Sequence, residues 1–282
     1  MTELSSARAV RRPRLDAVTL IGLAILAILI AASVFAPWIS PYNPTEINPA
    51  ARLKPPSPEH LLGTDRIGRD VLSRALHGGQ ISLTVGVLVG ITVLLVGVTL
   101  GLLAGSVRWL DGLIMRIIDG IMAMPAVLVG VAMVITWGGG LWALLIAISI
   151  PSLPETVRLT RSLALSIKAE PYVEAARLSG TPLPLLLWRH FLPNALAPLI
   201  VIGTYVGANA IVAESLLSFL GVGMPAELPS WGNMIAEGRL AFQIAPWGVF
   251  VPALFLTATV LAVNLIGDGL RDATDPLRLK GD

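Results

Sequence analysis

The sequence predicts an all-α integral membrane protein with about six transmembrane helices. Hydrophobic residues make up 55% of the chain and charged residues only 13%, with a mean hydropathy of +0.78. A soluble domain carries roughly 25% charged residues, so the polar surface that would solvate a globule of this size is missing. Predominantly apolar stretches fall near 17–38, 81–106, 113–137, 140–162, 194–218 and 244–268. Each is close to the roughly 20 residues that cross a bilayer core as a helix.

The first stretch follows a basic tail with Arg8, Arg11, Arg12 and Arg14. It is longer than a signal-peptide core and more spans follow, so it reads as an uncleaved first helix. An outer loop comes next, about residues 39–80. Its first part holds Pro41, Pro44, Pro49, Pro55, Pro56 and Pro58 and is expected to be extended. Its second part offers Asp65 as the cap of a short helix ending at Gly78-Gly79. Arg66, Asp70 and Arg74 would form an i,i+4 charge ladder opposite the apolar stripe of Ile67, Val71, Leu72, Ala75 and Leu76. Such a helix would lie on the outer membrane face.

The second span carries Gly86, Gly90, Gly97, Gly101 and Gly105, spaced to let another helix approach closely in lipid. Gly138-Gly139-Gly140 makes a tight hairpin between the third and fourth spans. Glu155, Arg158 and Arg161 take the fourth span to the cytoplasmic surface. Asn209, Glu214 and Ser218 fall in the fifth span and are the candidate lining of a translocation path. An acid at that depth is costly and faces water or a partner. Glu214 could equally pair with Arg239 or cap a re-entrant segment after Gly221.

With both termini inside, fourteen of the twenty Lys and Arg residues fall on the cytoplasmic side and six outside, as the positive-inside rule favours. With no cysteine and a net charge of +2, disulfides, thiol chemistry and a nucleic-acid surface are not expected. His60, His77 and His190 are far apart, so no metal site is expected. There is no phosphate loop ending in Lys-Ser or Lys-Thr, and no catalytic Ser/His/Asp arrangement suggests itself. The chain reads as a non-enzyme that binds no cofactor, and uphill transport would need energy from elsewhere.

The most informative segment lies between the fourth and fifth spans. Glu174-Ala175-Ala176-Arg177 forms a helical turn that breaks at Gly180, a position suited to positive φ. A second helix restarts at Thr181-Pro182, where Thr181 can cap and Pro182 sits in the first turn. His190, Leu192 and Pro193 complete the pattern: Glu-Ala-Ala, three residues, Gly, nine residues, then His190-Phe191-Leu192-Pro193. This resembles the EAA loop of ABC-importer permeases, although many of them carry an aliphatic residue where His190 stands.

Leu62-Gly63-Thr64-Asp65-Arg66-Ile67-Gly68-Arg69-Asp70 resembles the N-terminal signature of the dipeptide, oligopeptide and nickel importer permeases. The resemblance continues through Glu214–Gly221, Trp231-Gly232-Asn233-Met234, Asn264–Asp272 and Asp275-Pro276, and is closest to the second ("C") permease of dipeptide systems. It implies a type I ABC-importer permease fold: residues 1–80 as tail, first helix and outer loop, 81–271 as permease core, and 272–282 as a cytoplasmic tail.

By the same resemblance the Glu174–Pro193 loop docks on cytoplasmic ATPase subunits, which hold ATP and Mg²⁺. A second homologous permease would complete a heterodimer in the bacterial inner membrane, and an extracytoplasmic binding protein would deliver the solute. Dipeptides, longer peptides, nickel chelates and related small solutes stay open. An ion-coupled secondary transporter or a membrane scaffold are the remote alternatives.

Overall fold

A computed structural model describes residues 16–225 and 227–274. The basic tail, and the C-terminal residues from Asp275 that carry Arg278 and Lys280, lie outside the described residues. Helix α1 spans Ala17–Val34 and is followed by the short α2, Ala36–Ile39. Then come α3 (Val71–Ser106), α4 (Arg108–Met122), α5 (Ala126–Trp137) and α6 (Gly140–Lys168). Two short helices, α7 (Pro171–Leu178) and α8 (Leu183–Leu186), precede a π-helical turn at Leu187–Phe191 and α9 (Leu192–Phe219). The chain closes with α10 (Trp231–Gly238) and α11 (Trp247–Thr274). Among the described residues five helices are long and apolar enough to cross a membrane, and a sixth crossing needs α4 and α5 taken together.

Two expected elements are corrected. The short outer helix does not exist as a separate element. Its residues open the 36-residue α3, about 54 Å at 1.5 Å per residue, against a bilayer core of roughly 30 Å. The cap is Asp70, whose carboxylate accepts from Ser73 N at 2.8 Å, while Asp65 closes the preceding turn by accepting from Ile67 N and Arg69 N. Gly78 and Gly79 do not stop the helix because they serve close approach. A Cβ on Gly79 would stand 2.0 Å from Ser33 Oγ, and one on Gly78 would stand 3.2 Å from the Trp231 ring. The charge ladder dissolves with the helix, since Asp70 turns to His60 Nδ1 at 3.0 Å.

The second correction is the third span, which is broken. α4 and α5 meet at 91° across Ala123–Pro125. Proline disfavours helical backbone in the residue before it, here Met124. α4 buries Ile114 and Ile118 against Ala104 of α3 and Val157 of α6. Two ion pairs fasten α4 to α6: Arg161 reaches both oxygens of Asp111 at 2.5 and 2.7 Å, and Arg158 reaches Asp119 at 2.6 Å.

The glycines of α3 do pack, but against two helices. In the first half of α3, a Cβ on Gly86 would lie 3.0 Å from Gly207 O of α9, and one on Gly90 would lie 3.5 Å from Gly203 O. Further along, Gly97, Gly101 and Gly105 face Thr156, Thr160 and Ala164 of α6, at would-be Cβ distances of 2.8, 2.5 and 2.6 Å. α3 is thus the central post. Without side chains at these positions the backbones come close enough for dispersion contacts, which replace the hydrophobic drive that lipid does not supply. α1 lies against α11 and α3, covering that post from outside.

Candidate functional site

Two polar assemblies stand at opposite ends of this bundle. The first is the segment joining α6 to α9. α7 ends in a Schellman motif: Thr181 N donates to Ala176 O at 3.1 Å and Gly180 N to Arg177 O at 3.0 Å. Gly180 has φ +81°, a conformation that costs a side-chain-bearing residue about 1–2 kcal/mol. The expected cap at Thr181 is not made. Pro182 occupies the cap position of α8, with no side-chain cap bond, and the restart relies on fixed proline φ angles at Pro182 and Pro184.

The result is a knob anchored by its apolar side and bare on its polar side. Val173, Leu186 and Phe191 are buried and belong to the same core cluster as α3 and α9. Glu174, Ala175, Arg177, Gly180, Pro182 and Pro193 are exposed, while Ala176, Thr181, His190 and Leu192 are half-buried. Glu174 and Arg177 make no ion pair among the described residues. Leu178 is 84% exposed and Trp188 72%; both belong to the bare face.

The Tyr172 and His190 rings stand 6.0 Å apart, bracing α7 against the π turn. Asn194 Nδ2 donates to His190 O at 2.6 Å, occupying a carbonyl in that turn. From Leu183 to Phe219 the backbone is one continuous helical run.

The second assembly lies at the C-terminal end of α9. Glu214 is fully buried. One carboxyl oxygen accepts from Ser218 Oγ at 2.8 Å and Ser230 Oγ at 2.9 Å. The other receives Ser82 Oγ at 3.3 Å and Ser215 Oγ at 3.5 Å. Ser230 is also the N-cap of α10, accepting from Asn233 N. Asn233 in turn donates to the Met224, Pro225 and Leu228 carbonyls, and Trp231 Nε1 donates to Ala75 O at 2.9 Å. Glu214 therefore holds the short helix α10 against α3 and α9.

This corrects the pairing with Arg239, whose guanidinium lies 4.5 Å over the Phe219 ring instead. In this conformation the Glu214 side chain is sealed inside its own chain. The capping role comes closest, acting through Ser230. Ser218 shares the serine cage and borders a cavity of about 540 Å³ with Asn233 and Gly138–Gly140. Asn209 is exposed and takes no part, so the three candidate path residues do not form one site.

Beside this node, Asp65 joins the loop to the bundle. It meets Arg69 at 2.6 Å and Arg74 at 2.5 Å; Arg74 also reaches Glu237 at 2.7 Å, and Arg69 completes the ring to Glu237. Burial opposes a charge on Asp65, but the two guanidinium groups and the Arg69 N–H outweigh it and hold its carboxyl below the ordinary 3.8. Glu237 was not foreseen, because 163 residues separate it from Arg74.

Comparison with known proteins agrees with this architecture. The family model described as "Binding-protein-dependent transport system inner membrane component" matches residues 97–280, and "N-terminal TM domain of oligopeptide transport permease C" matches residues 7–56. A probable peptide ABC transporter permease of Sinorhizobium fredii is 45% identical over 95% of this chain and 91% of its own. A di/tripeptide transport system permease of Pseudomonas aeruginosa is 43% identical over 90% of this chain and 86% of its own. An oligopeptide transport system permease of Bacillus subtilis is 37% identical over 95% and 88%.

Proposed function

The chain belongs to the inner-membrane components of binding-protein-dependent transport systems, and on that premise we propose that it forms half of the route by which an ABC importer takes up dipeptides or short oligopeptides. Peptide permeases are the relatives that match nearly its whole length, which supports the solute class. A second homologous permease completes the route, ATPase subunits work beneath it, and a binding protein delivers the solute from outside. Residues 1–80 form the accessory unit and 81–271 the permease core, with both termini in the cytoplasm.

The observation that carries the mechanism is the knob. Its core side is fixed by Val173, Leu186 and Phe191, its other side is bare, and its second helix runs without a break into α9. ATP and Mg²⁺ stay on the ATPases, and this chain contributes a lever. Closure of the ATPases moves Glu174–Pro193. α9 carries that motion to the α10 node, and the route switches between inward-open and outward-open states. Binding energy held by the ATPase dimer is thereby spent on a membrane conformation.

The test is uptake of a radiolabelled dipeptide by cells lacking this chain and complemented with it, beside a nickel-uptake arm. Peptide uptake restored only together with a functional ATPase subunit is the expected result. Nickel uptake without peptide uptake would replace the solute assignment, and ATPase-independent uptake would remove the importer mechanism.

A further inference from the structure

Arg74 is 1% exposed, and its Nη1 is spent on Asp65 and Glu237 at 2.5 and 2.7 Å. Its Nε and Nη2 form the other edge of the planar guanidinium and have no hydrogen-bond partner among the described residues. A buried donor left without an acceptor carries its full desolvation penalty. Arg74 borders a cavity of about 20 Å³, and an ordered water needs about 10–15 Å³.

Another part of the same wall holds an acceptor in the same condition. Gly248 stands in the first turn of α11, where its carbonyl would receive the N–H four residues on. That residue is Pro252, which has no N–H to give. Among the described residues no turn or loop N–H replaces it. Gly248 O lies 2.5 Å from where a Cβ on Gly238 would stand, and both glycines line the cavity. The Thr64 hydroxyl, also on the wall, is already used: it donates to Ala51 O and accepts from Lys54 N.

We propose that one water molecule occupies this cavity, accepting from Arg74 Nε and Nη2 and donating to Gly248 O. Three hydrogen bonds are the usual number for a buried water. Charge favours water over an anion, because Asp65 and Glu237 already balance Arg69 and Arg74. Arg66, the other ion on the wall, is exposed and screened by solvent. So placed, the water fastens the first turn of α11 to the ion ring that joins the loop, α3 and α10. It supplies Gly248 with the donor that Pro252 withholds.

The test uses the complete importer in lipid nanodiscs. A density map at about 2 Å should show one peak within about 3.2 Å of Arg74 Nε, Arg74 Nη2 and Gly248 O; a cavity without density would overturn the proposal. Thermal melting reads the same site independently. Ala245 lines the cavity and is 3% exposed. Valine and threonine there share one shape, so any crowding is common to both. Each displaces the water, but the threonine hydroxyl can accept from Arg74 in its place. Ala245→Val is expected to melt below wild type and about 2–4 °C below Ala245→Thr, the effect of one lost hydrogen bond. Valine melting at or above wild type would mean that an empty void had been filled. Equal losses in the two variants would mean crowding with no polar occupant. Either result would overturn the water. Replacing chloride by gluconate should leave the wild-type melting temperature unchanged; a fall that Arg74→Lys abolishes would assign the cavity to an anion instead.

Discussion

Replacing Glu214 tests whether it is a structural node or a bystander, and the structure sets the size of the effect. Ser218 and Ser230 donate to one carboxyl oxygen at 2.8 and 2.9 Å, and Ser82 and Ser215 are longer contacts at 3.3 and 3.5 Å. Glu214→Ala orphans two good buried donors at about 1–3 kcal/mol each and leaves an empty space where the side chain stood. A total of about 3–5 kcal/mol is expected. Glu214→Gln keeps the shape and one acceptor, and the hydroxyls of Ser82 and Ser215 can rotate to accept from its amide; about 1 kcal/mol is expected.

The deciding measurement is a double-mutant cycle on thermal melting of the detergent-purified assembly. Glu214→Ala with Ser230→Ala should be non-additive, with a coupling of about 0.5–1.5 kcal/mol, because Glu214→Ala already removes the acceptor of the Ser230 hydroxyl. Glu214→Ala with Arg239→Gln should add. Coupling to Arg239 together with additivity at Ser230 would refute the node and restore the ion pair.

Gly180→Val and Glu174→Lys should abolish uptake and reduce the ATPase subunit that co-purifies, while the chain stays in the membrane. A Cβ meets nothing within 4 Å at Gly180, so the cost there is backbone strain of about 1–2 kcal/mol and a misaimed α8; normal uptake in both variants would remove the coupling role. At Asp65 the folded-state carboxyl is held below its ordinary 3.8, so its contribution to stability is present above that value and is lost as pH falls through the folded one. Acid melting curves of Asp65→Asn should accordingly be flatter below pH 3.8 than those of the wild type, and parallel curves would count against the Arg69–Arg74 arrangement. Single cysteines at Pro49 and Glu227 should react with an impermeant reagent in intact cells and those at Ser5 and Gly281 should not; the reverse would invert the topology.

Much of the fold was legible because a bilayer imposes a local demand. Each crossing needs its own apolar run, so five of the spans could be read from composition along the chain. The broken third was hidden because α4 and α5 together have the length and composition of one span; Pro125 was the visible mark of the break. The bend at Gly180 was equally local, because a positive φ is a property of one residue. Gly78-Gly79 could be read two ways, as a helix stop or as a close approach. Only the positions of Ser33 and Trp231 against them decide for the second.

By itself, then, the sequence determined what depends on neighbours in the chain: five of the spans, the small-residue stripe of α3 and the knob after α6. Tertiary structure alone decided the partners of the buried charges. Glu214 could have met Arg239, 25 residues on by their numbers, yet it meets Ser82 across 132 residues and Ser230 across 16, while Arg239 settles on Phe219. Arg74 likewise reaches Glu237 rather than its helical neighbour Asp70. An ionisable side chain in apolar surroundings goes to whichever polar groups the packed helices bring within about 3 Å, and that is fixed by how the helices cross.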